Sequence, residues 1–116
     1  MTAGLYNFTM DQGSNWNLNV IYKDSDGVVI NLTGYTAAMQ LRQNYNSDDA
    51  ELTLSTSNGG IVITGAQGKL VLAATAVQTA ALDAGYYVYD LEITSGGVVT
   101  RILQGQITVA GEVTRV

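Results

Sequence analysis

Cysteine, histidine and proline are all missing from this 116-residue chain. Without cysteine there can be no disulfide, thiolate metal site or cysteine nucleophile. Without histidine the usual general base and the commonest metal ligand are gone. Charged side chains make up 13% of the residues, roughly half the usual share in soluble domains. Five basic and ten acidic residues leave a net charge of −5. That speaks against nucleic acid and anionic membrane as partners, since both need clustered Lys or Arg. No apolar run approaches the ~20 residues of a membrane-spanning helix. The segment Met1–Asn7 has neither a basic nor an apolar signal region, so no signal peptide is expected. The Ser and Thr hydroxyls have no histidine to activate them, and no Gly-x-Ser-x-Gly turn occurs. The expectation is a protein that is not an enzyme, with no cofactor and no metal site. Lack of proline also removes one of the common guards of exposed sheet edges.

What is present is two-residue alternation. The clearest case runs through Tyr87, Tyr89, Leu91 and Ile93, which share one face of an extended segment, with Val88, Asp90, Glu92 and Thr94 on the other. Such periodicity marks a strand with one buried face. Trp16, Leu18, Val20 and Tyr22 repeat the pattern, as do Tyr35, Ala37, Met39 and Leu41. Shorter strands are predicted at Leu5–Met10, Val28–Ile30, Leu52–Leu54, Ile61–Thr64 and Lys69–Ala73, and a long last one at Val98–Val109. Gly105 inside that last strand predicts a bulge or a close backbone approach. Turns fall at Asp11–Ser14, Asp24–Gly27, Asn58–Gly60, Ala66–Gly68 and Ser95–Gly97. One short helix is predicted over 75–82, because Thr75 and Gln78 fit a capping box ahead of an alanine-rich run. Val77, Ala81 and Leu82 are its candidates for facing the sheets. Short strands separated by turn signals describe an all-β, immunoglobulin-like antiparallel sandwich of seven to nine strands, one domain over 1–116.

Asp83, Gly85 and Tyr87 have the spacing of a tyrosine corner, in which the hydroxyl bonds back to the backbone a few residues upstream. Asp24-Ser25-Asp26-Gly27 resembles a fragment of a calcium loop. However, the position that needs a carboxylate is Thr33, so a hairpin turn is the favoured reading. Asp48, Asp49 and Glu51 are read as a solvated loop. Asp83, Asp90 and Glu92 are the carboxylates closest to a pair for acid–base work; the first belongs to the corner, and the others fall on an outward face. Trp16, Tyr22, Tyr35, Tyr87 and Tyr89 fall on inward faces and read as core. Tyr6, Tyr45 and Tyr86 remain as candidates for exposed contact.

Three segments carry a resemblance: Tyr22–Gly27 leading into Asn31–Tyr35; Ala37–Arg42; and Leu82–Leu91 with Gly105–Val109. In order and spacing they resemble phage-encoded immunoglobulin-like domains of tail and baseplate proteins, typified by the N-terminal domain of the baseplate upper protein family. The resemblance implies a non-enzymatic virion structural protein that assembles with other virion proteins and with copies of itself. Relatives of that kind carry a helical linker and a host-recognition part after this module. This chain ends at Val116, so a free-standing adaptor or decoration subunit is expected. Leu5–Met10, Val98–Val109 and the loop Asn44–Ala50 are the expected contact segments. Two further readings stay open: a capsid or neck decoration protein, and a carbohydrate-binding sandwich that holds particles to host glycans.

Overall fold

The computed structural model describes residues 4–114. Among the described residues the alternating segments become nine strands in two sheets, so the fold is an all-β, immunoglobulin-like sandwich. In chain order the strands are β1 (Gly4–Leu5), β2 (Phe8–Asp11), β3 (Trp16–Ile21), β4 (Thr36–Arg42), β5 (Leu52–Ser55), β6 (Ile61–Thr64), β7 (Lys69–Ala74), β8 (Gly85–Ser95) and β9 (Val98–Ala110). The larger sheet runs β1-β9-β8-β4-β5, with β2 also paired to β9, and the smaller runs β3-β7-β6. Both β1 and β2 lie parallel to β9, whereas every other pairing between strands is antiparallel.

Inward residues of each strand meet between the sheets. Met39 and Leu41 from β4, Leu70 and Leu72 from β7, and Leu91 and Ile93 from β8 are fully or almost fully buried. Each such side chain contributes roughly 1.5–3 kcal/mol of burial free energy. Trp16, Tyr22 and Tyr35 sit at the margin of this core and are only half-buried. Gly96 and Gly97, both at positive φ, form the two-residue connection from β8 to β9 that such a hairpin requires.

Three expectations need correction. Leu5–Met10 is not one strand: it breaks at Tyr6-Asn7, where the Asn7 Oδ1 replaces a main-chain acceptor and takes the Gln106 N–H at 2.8 Å. Val28–Ile30 is not a strand either, and only the single bridge Lys23–Val29 forms. There the Asp24 carboxylate takes the N–H groups of Asp26 and Val28, while Asp24 N–H to the Val28 carbonyl and Ile30 N–H to the Tyr22 carbonyl close a tight turn without extending it into a strand. The helix α1 spans only Ala76–Ala80, with the capping box formed as expected. Val77 is 81% exposed and Ala81 also faces solvent. The side facing the sheets is instead held by Thr79, whose hydroxyl donates to the Ser14 carbonyl at 2.8 Å, and by buried Leu82 below the helix. Of the two readings of Gly105, a bulge or a close backbone approach, the close approach is the one found. The register shift falls between Leu91 and Glu92, leaving Ile102 as the extra residue on β9.

Candidate functional site

Where the chain crosses from the smaller sheet to the larger, α1 and the residues after it make the corner. Leu82 is buried, Asp83 and Ala84 are exposed, and Gly85 starts β8 at φ 147°, a backbone angle that side chains with a Cβ rarely adopt. The Tyr87 hydroxyl then donates to the Asp83 carbonyl at 2.6 Å. Burial, with the Asp83 and Glu51 carboxylates adding to it, raises the Tyr87 pKa above the ordinary value. This arrangement pins the crossing.

Two residues further on, the Tyr89 hydroxyl donates to the Tyr6 carbonyl at 2.6 Å. Burial first, and Tyr6 second, push the Tyr89 pKa up to about 12. Tyr89 lies opposite Gly105. A Cβ at Gly105 would overlap the Tyr6 carbonyl oxygen and come within 2.7 Å of Asn7 Oδ1. The N-terminal segment therefore crosses β9 at its glycine and is held there by Tyr89. Phe8 continues the cluster, stacked on Trp16 at 5.0 Å between ring centroids and edge-on to Tyr89 at 5.1 Å. Sequence reading placed no role on Phe8. Its spacing of two from both Tyr6 and Met10 was the available signal.

Of the three tyrosines expected to be exposed, Tyr6 is 44% accessible but stacks on Phe8, so it is partly committed to the fold. Tyr45 (83% exposed) and Tyr86 (70%) project from the surface, and no ring contact joins them to each other or to Tyr6 among the described residues. They form no aromatic row. Tyr45 stands at the rim of a concavity of about 280 Å³ on the outer face of the larger sheet, floored by Gln40, Arg42, Asp90 and Arg101. Arg101 pairs with Asp90 at 3.3 Å, and Arg42 is tied to Gln40 and to the Ser47 carbonyl. Among the described residues no group of three carboxylates converges as a metal site would require.

The second surface is the open side of the sandwich. A groove of about 490 Å³ runs between β1 and β3, lined by Leu5, Tyr6, Leu18, Val20, Ile21 and Leu103 along with Asn19. Four sheet margins could accept a neighbour, and they differ. The margin of β5 is closed by Asn58, whose amide donates to the Thr53 carbonyl and whose oxygen takes the Ser55 N–H. β6 offers only a four-residue run. β1 and β2 form a margin broken at Tyr6-Asn7. β9, expected to be a contact strand, is flanked by β8 on one side and by β1 and β2 on the other from Leu103 onward. Only its first residues, such as exposed Val98 and Val99, are left for neighbours. Among the described residues, β3 is the long margin that remains open.

Pairing fixes what β3 presents. Tyr22 N–H donates to the Gly68 carbonyl, and the register continues as Val20–Leu70, Leu18–Leu72 and Trp16–Ala74. Hydrogen-bonded pairs alternate along an antiparallel ladder, so the even-numbered residues bond to β7. Asn17, Asn19 and Ile21 turn their N–H and C=O groups to the open side. Their side chains are exposed, and none is charged. Compared with family models and with curated proteins, the chain finds no match in either set.

Proposed function

We propose that this chain is a non-enzymatic structural subunit of a bacteriophage particle, working in the tail, baseplate or fibre attachment through protein–protein assembly. The observation that carries this reading is the open, uncharged margin of β3 beside an apolar groove, on a chain that has no proline to guard it. A sheet edge of that kind accepts a neighbouring strand through main-chain hydrogen bonds and needs little side-chain code. The ordered segments from Tyr22 to Val109 that resemble phage immunoglobulin-like domains supply the choice of particle. Mass spectrometry of purified virions should find the chain in many copies, and cryo-EM of the particle should place it at the tail rather than on the capsid shell. Its absence from virions would refute the proposal, and a shell position would favour a decoration protein.

A carbohydrate-binding reading is favoured by one feature, the concavity beneath Tyr45. An exposed ring above Gln40, Asp90 and Arg101 offers both a stacking face and hydrogen-bonding groups. Glycan-array binding that is lost in Tyr45→Ala would establish it.

A further inference from the structure

The open margin of β3 is self-complementary, and we propose that it pairs with β3 of a second copy about a two-fold axis at Asn19. This rests on the assembly reading above and names the surface and the partner. The three outward-facing positions are Asn17, Asn19 and Ile21. In an antiparallel pair centred on Asn19, Asn19 meets its own copy and Asn17 meets Ile21 of the other chain. Every outward N–H and C=O of the strand then has a partner, each pair exchanging two hydrogen bonds. A register shifted by two residues in either direction would leave one of the three positions unpaired.

Side chains fit the same register. On the inner face Leu18 lies opposite Val20 of the other copy, an apolar pair at the lip of the groove that exposes Leu5. On the outer face the two Asn19 amides face each other and can exchange hydrogen bonds. Charge favours the antiparallel sense. At the Trp16 end the carboxylate of Glu112 packs against Gly13, with Asp11 nearby on β2. At the other end Lys69 pairs with Ile21 and Lys23 follows Tyr22, with Asp24 and Asp26 in the turn beyond, so that end is close to neutral where the Trp16 end is acidic. A two-fold axis sets the acidic end of each copy against the lysine-bearing end of the other. A parallel pairing would set like ends together. The joined smaller sheets form one continuous six-stranded layer, the isologous arrangement expected of a closed dimer.

The full chain should elute as a dimer in size-exclusion chromatography with light scattering. Asn19→Pro should weaken the dimer about tenfold or more while the fold persists, since the Asn19 N–H does not serve β7 and proline is tolerated where that group faces outward. Asn19→Lys sets two like charges on the axis and should do the same. With no native cysteine, Asn19→Cys gives a single thiol that lies about 5.5 Å, Cα to Cα, from its copy, so a short thiol cross-linker should join it. Asn17→Cys should stay unlinked, because four residues of strand separate its copies by about 13 Å. A wild type that is monomeric at every concentration with Asn19→Cys never cross-linked, or a dimer that survives both Asn19 substitutions, overturns the proposal. If the isolated chain is monomeric but Asn19→Pro is lost from particles, β3 takes a strand from a different virion protein; the self-pairing fails and the assembly reading stands. Dimers that form through β3 in a chain absent from virions would do the reverse.

Discussion

Gly105→Ala tests how the N-terminal segment is held. Gly105 is not at positive φ, so its need for glycine is one of space. The added methyl would overlap the Tyr6 carbonyl oxygen, lie 2.7 Å from Asn7 Oδ1, and lie 2.9 Å from the Tyr6 carbonyl carbon. Two of these contacts are with backbone, which cannot swing aside as a long side chain can. Relief requires the Tyr6-Asn7 segment to lift from β9, and three hydrogen bonds depend on it: Tyr6 N–H to Gln104, Gln106 N–H to Asn7, and Tyr89 hydroxyl to Tyr6. Overpacking costs about 1–3 kcal/mol, and each lost bond about 0.5–1.5 kcal/mol net. Reduced freedom of the unfolded chain returns about 0.4–1 kcal/mol. The net loss should be about 2–4 kcal/mol, read as a lower urea midpoint with an unchanged slope. Amide exchange should quicken at Tyr6 and Gln106 before the rest of β9. A variant within about 0.5 kcal/mol of wild type, a routine value for surface substitutions, would refute the close-approach argument.

Tyr87→Phe should cost about 0.5–1.5 kcal/mol in chemical denaturation, at the lower end of that range if the exposed Asp83 carbonyl turns to water. Gly85→Val should cost about 1–3 kcal/mol even though nothing lies within 4 Å of the added Cβ, because the strain comes from φ 147°. Equal stability in that variant would mean the corner tolerates another backbone angle. Tyr87 and Tyr89 both hold their protons more tightly folded than unfolded. Their contribution is therefore complete below pH 10 and lost as pH rises above it, for Tyr89 towards about 12, so unfolding midpoints should fall across that window. Tyr89→Phe should flatten the decline, and an unchanged slope would show that the hydroxyl is not buried.

The parts of this fold that could be read from sequence are those set by neighbours along the chain. Tyr87 to Ile93 gave its alternation because one face of β8 is buried throughout, and Thr75 with Gln78 gave a cap because both partners lie three residues apart. Most of the failures involve distant residues. Val28–Ile30 is a local exception: Asp24 takes the Val28 N–H, and a single bridge at Lys23–Val29 is all that forms. Val77 looked inward-facing, but the helix is anchored by Thr79 to Ser14 on another element. Phe8 gave no sign of its stack with Trp16 and Tyr89, which exists only once three strands meet. Gly105 was ambiguous between two meanings, and the approach of Tyr6 decided between them. For the candidate surface, the missing proline hinted at open margins. Which margin stays open depends on strand order and on Asn58 closing β5, and neither leaves a local trace.

The parallel run of β1 and β2 against β9 has a mechanical consequence. Tension applied between the two ends of the molecule would drag these strands along their shared axis in opposite directions. Their hydrogen bonds would be loaded in shear, all at once, instead of being unzipped one after another. Tyr89, fastened to the Tyr6 carbonyl at the break between the two short strands, acts as a rivet across that seam. Strands loaded in shear resist stretching better than strands that unzip, a useful property for any part that must carry load between its neighbours.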